Sequence, residues 1–330
     1  MPQFSFPRVL ALGAVVALVG AGVATAVVVG VNAQNECVYP VGPGKASALV
    51  SVADSAEGLP VASFPTPLIT TGRELTILEV GEGEGAKPGG YVDFDVSVFV
   101  GADEEYLIAS SYQKFAPVRR ALTVDREEFF GALLECQRPG ARVVITTTVE
   151  DALGPIEDDE YLQSDSTVVL VADVHQTYPS GATGDARRPQ SGLPTLVQAP
   201  TGEHGFSFPN AEIPEDLRIS VLKMGDGAVV KEGDFMTALF TGVVWNTRTV
   251  FVSSFDQGIP LSLVVKDVTT SLDGQGVIPG LATALIGQTI GSQVLVSVPP
   301  SEGYALGTAP AGIPPGATLV YVFDILGVTN

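Results

Sequence analysis

The side chains that bear on chemistry in this 330-residue chain are mostly aromatic rather than ionisable. Phe240, Trp245, Phe251, Phe255, Tyr304, Tyr321 and Phe323 stand beside tight turns or at alternating strand positions. Alternating aromatics ordinarily fill a core, because successive strand side chains face opposite sides of a sheet. Tyr304 differs, since it follows Pro299, Pro300 and Gly303 on a loop where packing alone seldom needs a tyrosine. The chain has only two histidines, His175 and His204, which speaks against a His-based triad or a multi-His metal site. Neither a phosphate-binding Gly-rich loop with its Lys-Ser/Thr nor a dinucleotide fingerprint occurs, and no cofactor is implied. The acidic run Glu157-Asp158-Asp159-Glu160 lacks the alternating ligand spacing of a calcium loop and reads as a solvated turn. A net charge of −20 argues against nucleic acid as a partner.

These residues need elements to hold them, and the stretch Val277 to Tyr304 is the organising one. Pro279 suits a first helical position, where its missing N–H costs nothing. Leu281, Ala282, Leu285 and Ile286 give a short helix one buried face, and Gly287 can end it in a left-handed conformation. Gln293 to Val298 is β-branched and stops at Pro299-Pro300, which cannot continue a ladder. Thr237 to Val244, Leu261 to Val265 and Leu319 to Leu326 are further strand signals. The pattern predicts an α+β fold, an antiparallel sheet wrapped around a short helix.

The pattern occurs twice. Leu75-Thr76-Ile77-Leu78 followed by Gly81-Glu82-Gly83 returns as Ile219-Ser220-Val221-Leu222 followed by Gly225-Asp226-Gly227. Ser63-Phe64-Pro65 returns as Ser207-Phe208-Pro209, and Ser110-Ser111 as Ser253-Ser254. Gly140 to Val144 matches Gly291 to Leu295, and Asp173 matches Asp324, after one step in the offset near Val268 to Gly276. A collinear series of this kind indicates a duplicated domain with one loop insertion. Between the copies, Tyr178 to Pro194 is rich in Gly, Pro, Ser and Ala and reads as an exposed linker carrying Arg187-Arg188.

Residues 1–33 are of another kind. Arg8 is their one charged side chain, and Val9 to Val31 is an uncharged run long enough to span a bilayer. An uncleaved anchor and an export signal both fit, the second because Ala24-Thr25-Ala26 and Val31-Asn32-Ala33 resemble cleavage sites. Either reading places the remainder outside the cytoplasm, membrane-anchored or secreted. The only cysteines, Cys37 and Cys136, lie beyond this segment; in an oxidising compartment an even pair suggests one disulfide, two unpaired thiols being the alternative.

Five motifs in one order resemble the FKBP-type peptidyl-prolyl cis–trans isomerases: Phe240-Thr241-Gly242, Val250 to Asp256, Gly276 to Gly280, Val298 to Tyr304, and Ile313 to Tyr321. The resemblance covers residues 213–330 and, through the repeat, extends to 69–178 as a diverged copy. It implies an antiparallel half-barrel around a short helix in each copy, with a prolyl-ring pocket over the helix start. The matching pocket positions are Phe240, Phe251, Leu261, Val277, Ile278, Leu281, Tyr304, Ile313, Tyr321 and Phe323. By the same resemblance Phe251, Ile278 and Tyr304 carry catalysis, with the Ile278 N–H and Tyr304 hydroxyl as donors to substrate carbonyls. Implied partners are proline-containing segments of exported or unfolded proteins, and a macrolide.

The departures fall in the pocket. The family commonly has Tyr at Phe240, Asp at Val252, Phe at Leu261 and a large ring at Leu281. Losing the Phe240 hydroxyl and the Val252 carboxylate together avoids leaving one of them buried without the other. In the first copy the positions of Phe251, Val277, Ile278 and Tyr304 are held by Ile108, Arg126, Glu127 and Leu153, and a charged pair cannot form an apolar floor. The expected organisation is a segment 1–33 for export or anchoring, an arm 34–68, a degenerate domain 69–178, a linker 179–194, an arm 195–212 and an isomerase domain 213–330. The expected function is prolyl isomerisation by the second domain; the alternatives are a non-catalytic binding or chaperone module at the cell surface and a purely structural surface protein.

Overall fold

The computed structural model describes residues 37–112, 117–122, 129–156, 162–304 and 307–329. The apolar run 9–31, the pair Arg126-Glu127 and the acidic run 157–160 lie outside them. No helix among the described residues is long and apolar enough to cross a membrane.

The architecture is α+β: two antiparallel sheets, each packed on a short helix. In the second sheet the order is Thr249–Ser253, Phe235–Val244, Leu319–Thr329, Gln293–Val298, Arg218–Met224. Leu261–Val264 pairs with the first half of Phe235–Val244, so that long strand serves two partners in turn. The first sheet repeats the order with Asp103–Ser110, Tyr91–Val100, Thr167–Tyr178, Arg142–Thr148 and Glu74–Glu79, and with Val118–Ala121 on Tyr91–Val100.

The likeness extends to irregularities. A bulge between Ile77 and Glu79 returns between Val221 and Lys223, and one between Asp93 and Phe94 returns between Thr237 and Ala238. The Val96 N–H donates to Ser111 Oγ at 2.9 Å, and the Phe240 N–H donates to Ser254 Oγ at 2.9 Å. Bulges occupy fixed places in a ladder, so shared ones mark a shared ancestry of backbone. The duplication is structural as well as sequential.

The helix Pro279–Leu285 starts on Pro279 and lays Leu281, Ala282, Ala284 and Leu285 into the core. Gly287 follows at φ +89°. Ile286 departs from the expected face: it lies past the helix end, extended and 40% exposed. The first-sheet helix Phe129–Leu134 buries Leu133 and Leu134 among Val92, Phe94, Ile145 and Leu170.

The outer face of each sheet is covered by a hairpin. Ser51–Asp54 with Pro60–Ser63 lies over Phe99, Val144, Val169 and Val171. Thr195–Gln198 with His204–Ser207 brings Phe206 and Phe208 to Trp245, Leu295 and Val320. Cys37 and Cys136 form a disulfide across 99 residues of chain. A cross-link of that span stabilises by roughly 4–5 kcal/mol in the chain-entropy account.

The segment 179–194 is exposed over most of its length, as its composition suggested, but it is fastened to the second sheet. Asp185–Ala186 adds a strand to the edge of the second sheet against Lys223 and Met224, and Ala182 and Leu193 are buried. Its small residues permit close packing: a Cβ on Gly184 would collide with the Met224 carbonyl. Arg187 and Arg188 do remain exposed.

Candidate proline-binding site

The ten expected pocket residues converge on one apolar cluster of the second sheet and its helix. Phe240 and Phe323 pair directly across neighbouring strands, and their rings stack at 5.3 Å. Tyr321, two residues before Phe323 and so on the same face, stacks on it at 5.8 Å. Phe251 meets Tyr321 edge-on at 5.5 Å and 88°. Edge-on and offset contacts are the favoured arrangements of ring quadrupoles. The site is a wall of rings.

Burial divides the set. Phe240, Val277, Ile278, Leu281, Tyr321 and Phe323 are buried and form the floor. Phe251, Leu261, Tyr304 and Ile313 are half-buried and form the rim. Beside Tyr304 and Ile313 opens a cleft of about 330 Å³, bounded also by Pro300, Ala309, Pro315 and Leu319. A second cleft, of about 320 Å³, lies between His204 to Phe208 and Val243, Arg248 and Val250, and holds none of the expected residues.

The helix start supplies a polar backbone feature. Ile278 is extended (φ −58°, ψ 150°), and among the described residues its N–H donates to no other group. The preceding insertion is tied to the floor: the Val277 N–H donates to Lys266 O at 2.9 Å, and the Val268 N–H donates to Val277 O at 3.0 Å. Lys266 also pairs with Asp273 within the same loop at 2.8 Å.

Two hydroxyls remain at the rings. Burial, and then the neighbouring Tyr304, raise the Tyr321 phenol far above the ordinary phenol range. Tyr321 therefore stays a neutral donor. Val252 packs against the apolar cluster and Phe240 presents no hydroxyl, so the polar partners that the family usually places there are both absent. Tyr304 beside Tyr321 is the polar pair this chain has instead.

Three features escaped the sequence reading. Gly242 lies where a Cβ would press on Phe251, Val252 and Tyr321, and the Thr-Gly following Phe240 was its only sign. The Tyr321 hydroxyl was counted only as ring surface. Asp324 is fully buried: it accepts from Gln293 Nε2 at 2.7 Å and the Ala182 N–H at 3.2 Å, with His204 Nε2 3.6 Å away. Of the other aromatics, Trp245 packs on Phe208 at 5.5 Å in the hairpin cluster, and Phe255 meets His204 at 5.0 Å. Neither belongs to the ring wall.

The corresponding place in the first sheet is built otherwise. The registers set Leu170 where Tyr321 stands and Ala172 where Phe323 stands. Phe130 of the helix meets Phe94 at 4.9 Å, and Leu153 is 45% exposed. The ring wall is missing there. Among the described residues, the only close group of His, Cys, Asp and Glu ligand atoms is Cys37, Glu135 and Cys136, and its two sulfurs are already joined to each other.

Comparison with known proteins gives the family. The family model for FKBP-type peptidyl-prolyl cis–trans isomerases matches residues 227–326, within the second sheet. The FK506-binding protein 1 of Debaryomyces hansenii is 33% identical over 117 residues, covering 35% of this chain and 96% of that protein. The chain belongs to the FKBP-type peptidyl-prolyl cis–trans isomerases. A probable FK506-binding protein of Corynebacterium glutamicum is 30% identical over 122 residues, 37% of this chain and 94% of that one. FkpA from Escherichia coli is similar at 26% identity, with a TM-score of 0.30, over 42% of this chain and 52% of that one. The residues matched by the family model of these FKBP-type isomerases, 227–326, include the ring wall and the helix start.

Proposed function

We propose that the second domain, residues 213–330, isomerises X-Pro bonds in exported polypeptides. The carrying observation is the convergence of Phe240, Tyr321, Phe323 and Phe251 on the start of the Pro279–Leu285 helix. Rotation about the X-Pro bond is slow because amide resonance must be broken, at a barrier of about 18–20 kcal/mol. No nucleophile is required. An apolar, water-poor site disfavours the planar amide with its charge separation relative to the twisted one, which lowers the barrier. The buried rings receive the pyrrolidine. The Ile278 N–H, which donates to no other described residue, and the Tyr304 hydroxyl hold substrate carbonyls in the twisted geometry.

The same reading assigns the first domain, residues 69–178, a non-catalytic role, supported by Leu170 and Ala172 in place of rings. It places the protein outside the cytoplasm, by the 1–33 segment, tethered or released. The names of its relatives extend the ligand proposal to a macrolide such as FK506 seated on the same rings.

The test is isomerisation of a panel of proline peptides by the full chain, beside Phe251→Ala and Tyr304→Ala. The expected result is acceleration by the wild type that falls at least about tenfold in each variant, roughly 1.4 kcal/mol of barrier. A folded wild-type chain that binds proline peptides without accelerating them would replace this reading by the non-catalytic binding module.

A further inference from the structure

Arg119 belongs to the first sheet, on the strand Val118–Ala121, yet its side chain ends among residues of the second. Its Nε and Nη2 donate to the two oxygens of Asp93, each at 2.6 Å. Its Nη1 donates to the Pro260 carbonyl at 2.9 Å and Ser262 Oγ at 3.3 Å, and Nη2 reaches Thr237 Oγ1 at 3.3 Å. The guanidinium lies 5.1 Å from the centre of the Tyr178 ring, whose hydroxyl donates to Asp93 at 3.0 Å. Only the planar fork of an arginine fills so many directions at once. Its side chain is 15% exposed and that of Asp93 6%, so the set is shielded from solvent.

Every acceptor on the second sheet flanks the candidate site. Pro260 and Ser262 are the residues on either side of Leu261, a rim residue. Thr237 pairs with Ser262 and lies three residues before Phe240 on the same strand. Apolar packing locks the contact: Tyr91 and Tyr178 of the first sheet cluster with Leu239 and Leu326 of the second, with Phe255 and Ile259 alongside. A Cβ on Gly327 would stand 2.6 Å from Tyr178 Cε1, so the ring lies directly on that backbone.

We propose that Arg119 is a positioning residue for the proline site, so that the non-catalytic domain sets the substrate affinity of the catalytic one. It acts through the Pro260 carbonyl and Ser262, holding the short strand Leu261–Val264 and with it the rim at Leu261. This rests on the isomerase reading of the second domain. A rim already ordered before binding spends none of the substrate's binding energy on ordering. Loosening it weakens binding of ground and transition states alike, which raises KM and leaves kcat.

The test uses the full chain with Arg119→Met, Arg119→Lys, and the control Arg142→Met. Arg142 makes a bidentate pair with Asp173 in the first sheet, both bonds at 2.7 Å, and also donates to Asp54, so its partners among the described residues belong to the first half of the chain. Arg119→Met is expected to raise KM by about fivefold or more, the low end of ordinary coupling between sites, with kcat within about twofold. Arg119→Lys should recover part of this, and Arg142→Met should leave KM unchanged. Amide hydrogen exchange at 261–264 should quicken in Arg119→Met alone. Should Arg119→Met fail to fold, Thr237→Val with Ser262→Ala removes acceptors on the second sheet while sparing the Arg119–Asp93 pair. Equal KM in the Arg119 and Arg142 variants, with unchanged exchange at 261–264, would overturn the proposal. An inactive wild type would instead remove the isomerase reading, and exchange at 261–264 would still decide the clamp.

Discussion

Phe251 lies so close over Gly242 that a methyl group there would stand 2.7 Å from the Phe251 Cζ. The same methyl would be 2.8 Å from Val252 Cγ1 and 2.9 Å from Tyr321 Cε1. Gly242 and Val252 are cross-strand partners, and a bulge follows at Val243, so the backbone itself is the surface on which the rim ring rests. Phe251 is half-buried and can swing outward, but Tyr321 is 3% exposed and has no room to move.

Gly242→Ala should therefore displace Phe251 from the ring wall. Overpacking of this kind costs about 1–3 kcal/mol of stability. Misplacing a substrate-positioning group by about 1 Å can cost as much as about a hundredfold in rate. Thermal unfolding and isomerisation rates of the variant check both. A variant as stable and as fast as wild type would mean that Phe251 does not shape the site.

The alkaline limb of stability follows from buried phenols. Tyr91, Tyr112, Tyr178 and Tyr321 are all raised above the ordinary phenol range, in each case first by burial. A nearby carboxylate adds to the first three (Asp324, Asp173 and Asp93 respectively), and Tyr304 adds to the fourth. In the unfolded chain these groups lose their protons near pH 10, while the folded chain still holds them. The unfolded state then binds fewer protons, so stability is full below about pH 10 and falls as pH rises beyond it. Urea unfolding from about pH 8 to 11 measures the slope. Tyr321→Phe should make it shallower. A slope unchanged in that variant would show that Tyr321 ionises in the folded protein as it does in the unfolded one.

How much of this was legible beforehand depended on whether the cause was local. The helix at Pro279, the strand ending at Pro299 and the left-handed Gly287 are set by their own residues, and the structure has them where local chemistry puts them. The repeat was equally readable, because collinear matches survive even where the pocket residues have changed. Ile286 fails for a reason of geometry: its spacing fits the helical face, but the helix ends one residue earlier. The segment after Tyr178 was legible only in part. Gly, Pro and Ser signal an irregular, exposed backbone, and most of the segment is exposed, but what buries Ala182 and Leu193 is a sheet edge and hairpin cluster distant in sequence. The same holds for Arg119, whose partners on the second sheet lie more than a hundred residues away.

Asp324 offers the sharpest test of how that segment is held. Burial alone would raise its carboxyl, but His204, Gln293 and the Ala182 N–H together bring it below the usual carboxylate range. It is ionised and fully buried at neutral pH, and the Ala182 N–H is one of its fixed donors. From there the chain runs to the Asp185–Ala186 strand, and the Arg187 N–H donates to Leu222 O at 2.8 Å. A protease needs an extended, detached segment, so trypsin should cut after Arg187 slowly in the wild type, while the Arg188-Pro189 bond resists it throughout. Asp324→Ala strips the Ala182 N–H and the Gln293 amide of their buried partner. Breaking a buried charged network in this way costs about 3–5 kcal/mol. Much of that cost is avoided if residues 181–188 lift away and admit water to the gap. Limited trypsin digestion with mass analysis of the fragments is the check, and cleavage after Arg187 should quicken well before the rest of the chain is cut. Unchanged cleavage there in a folded Asp324→Ala protein would mean that strand pairing with Lys223 and Met224 holds the segment without the carboxylate.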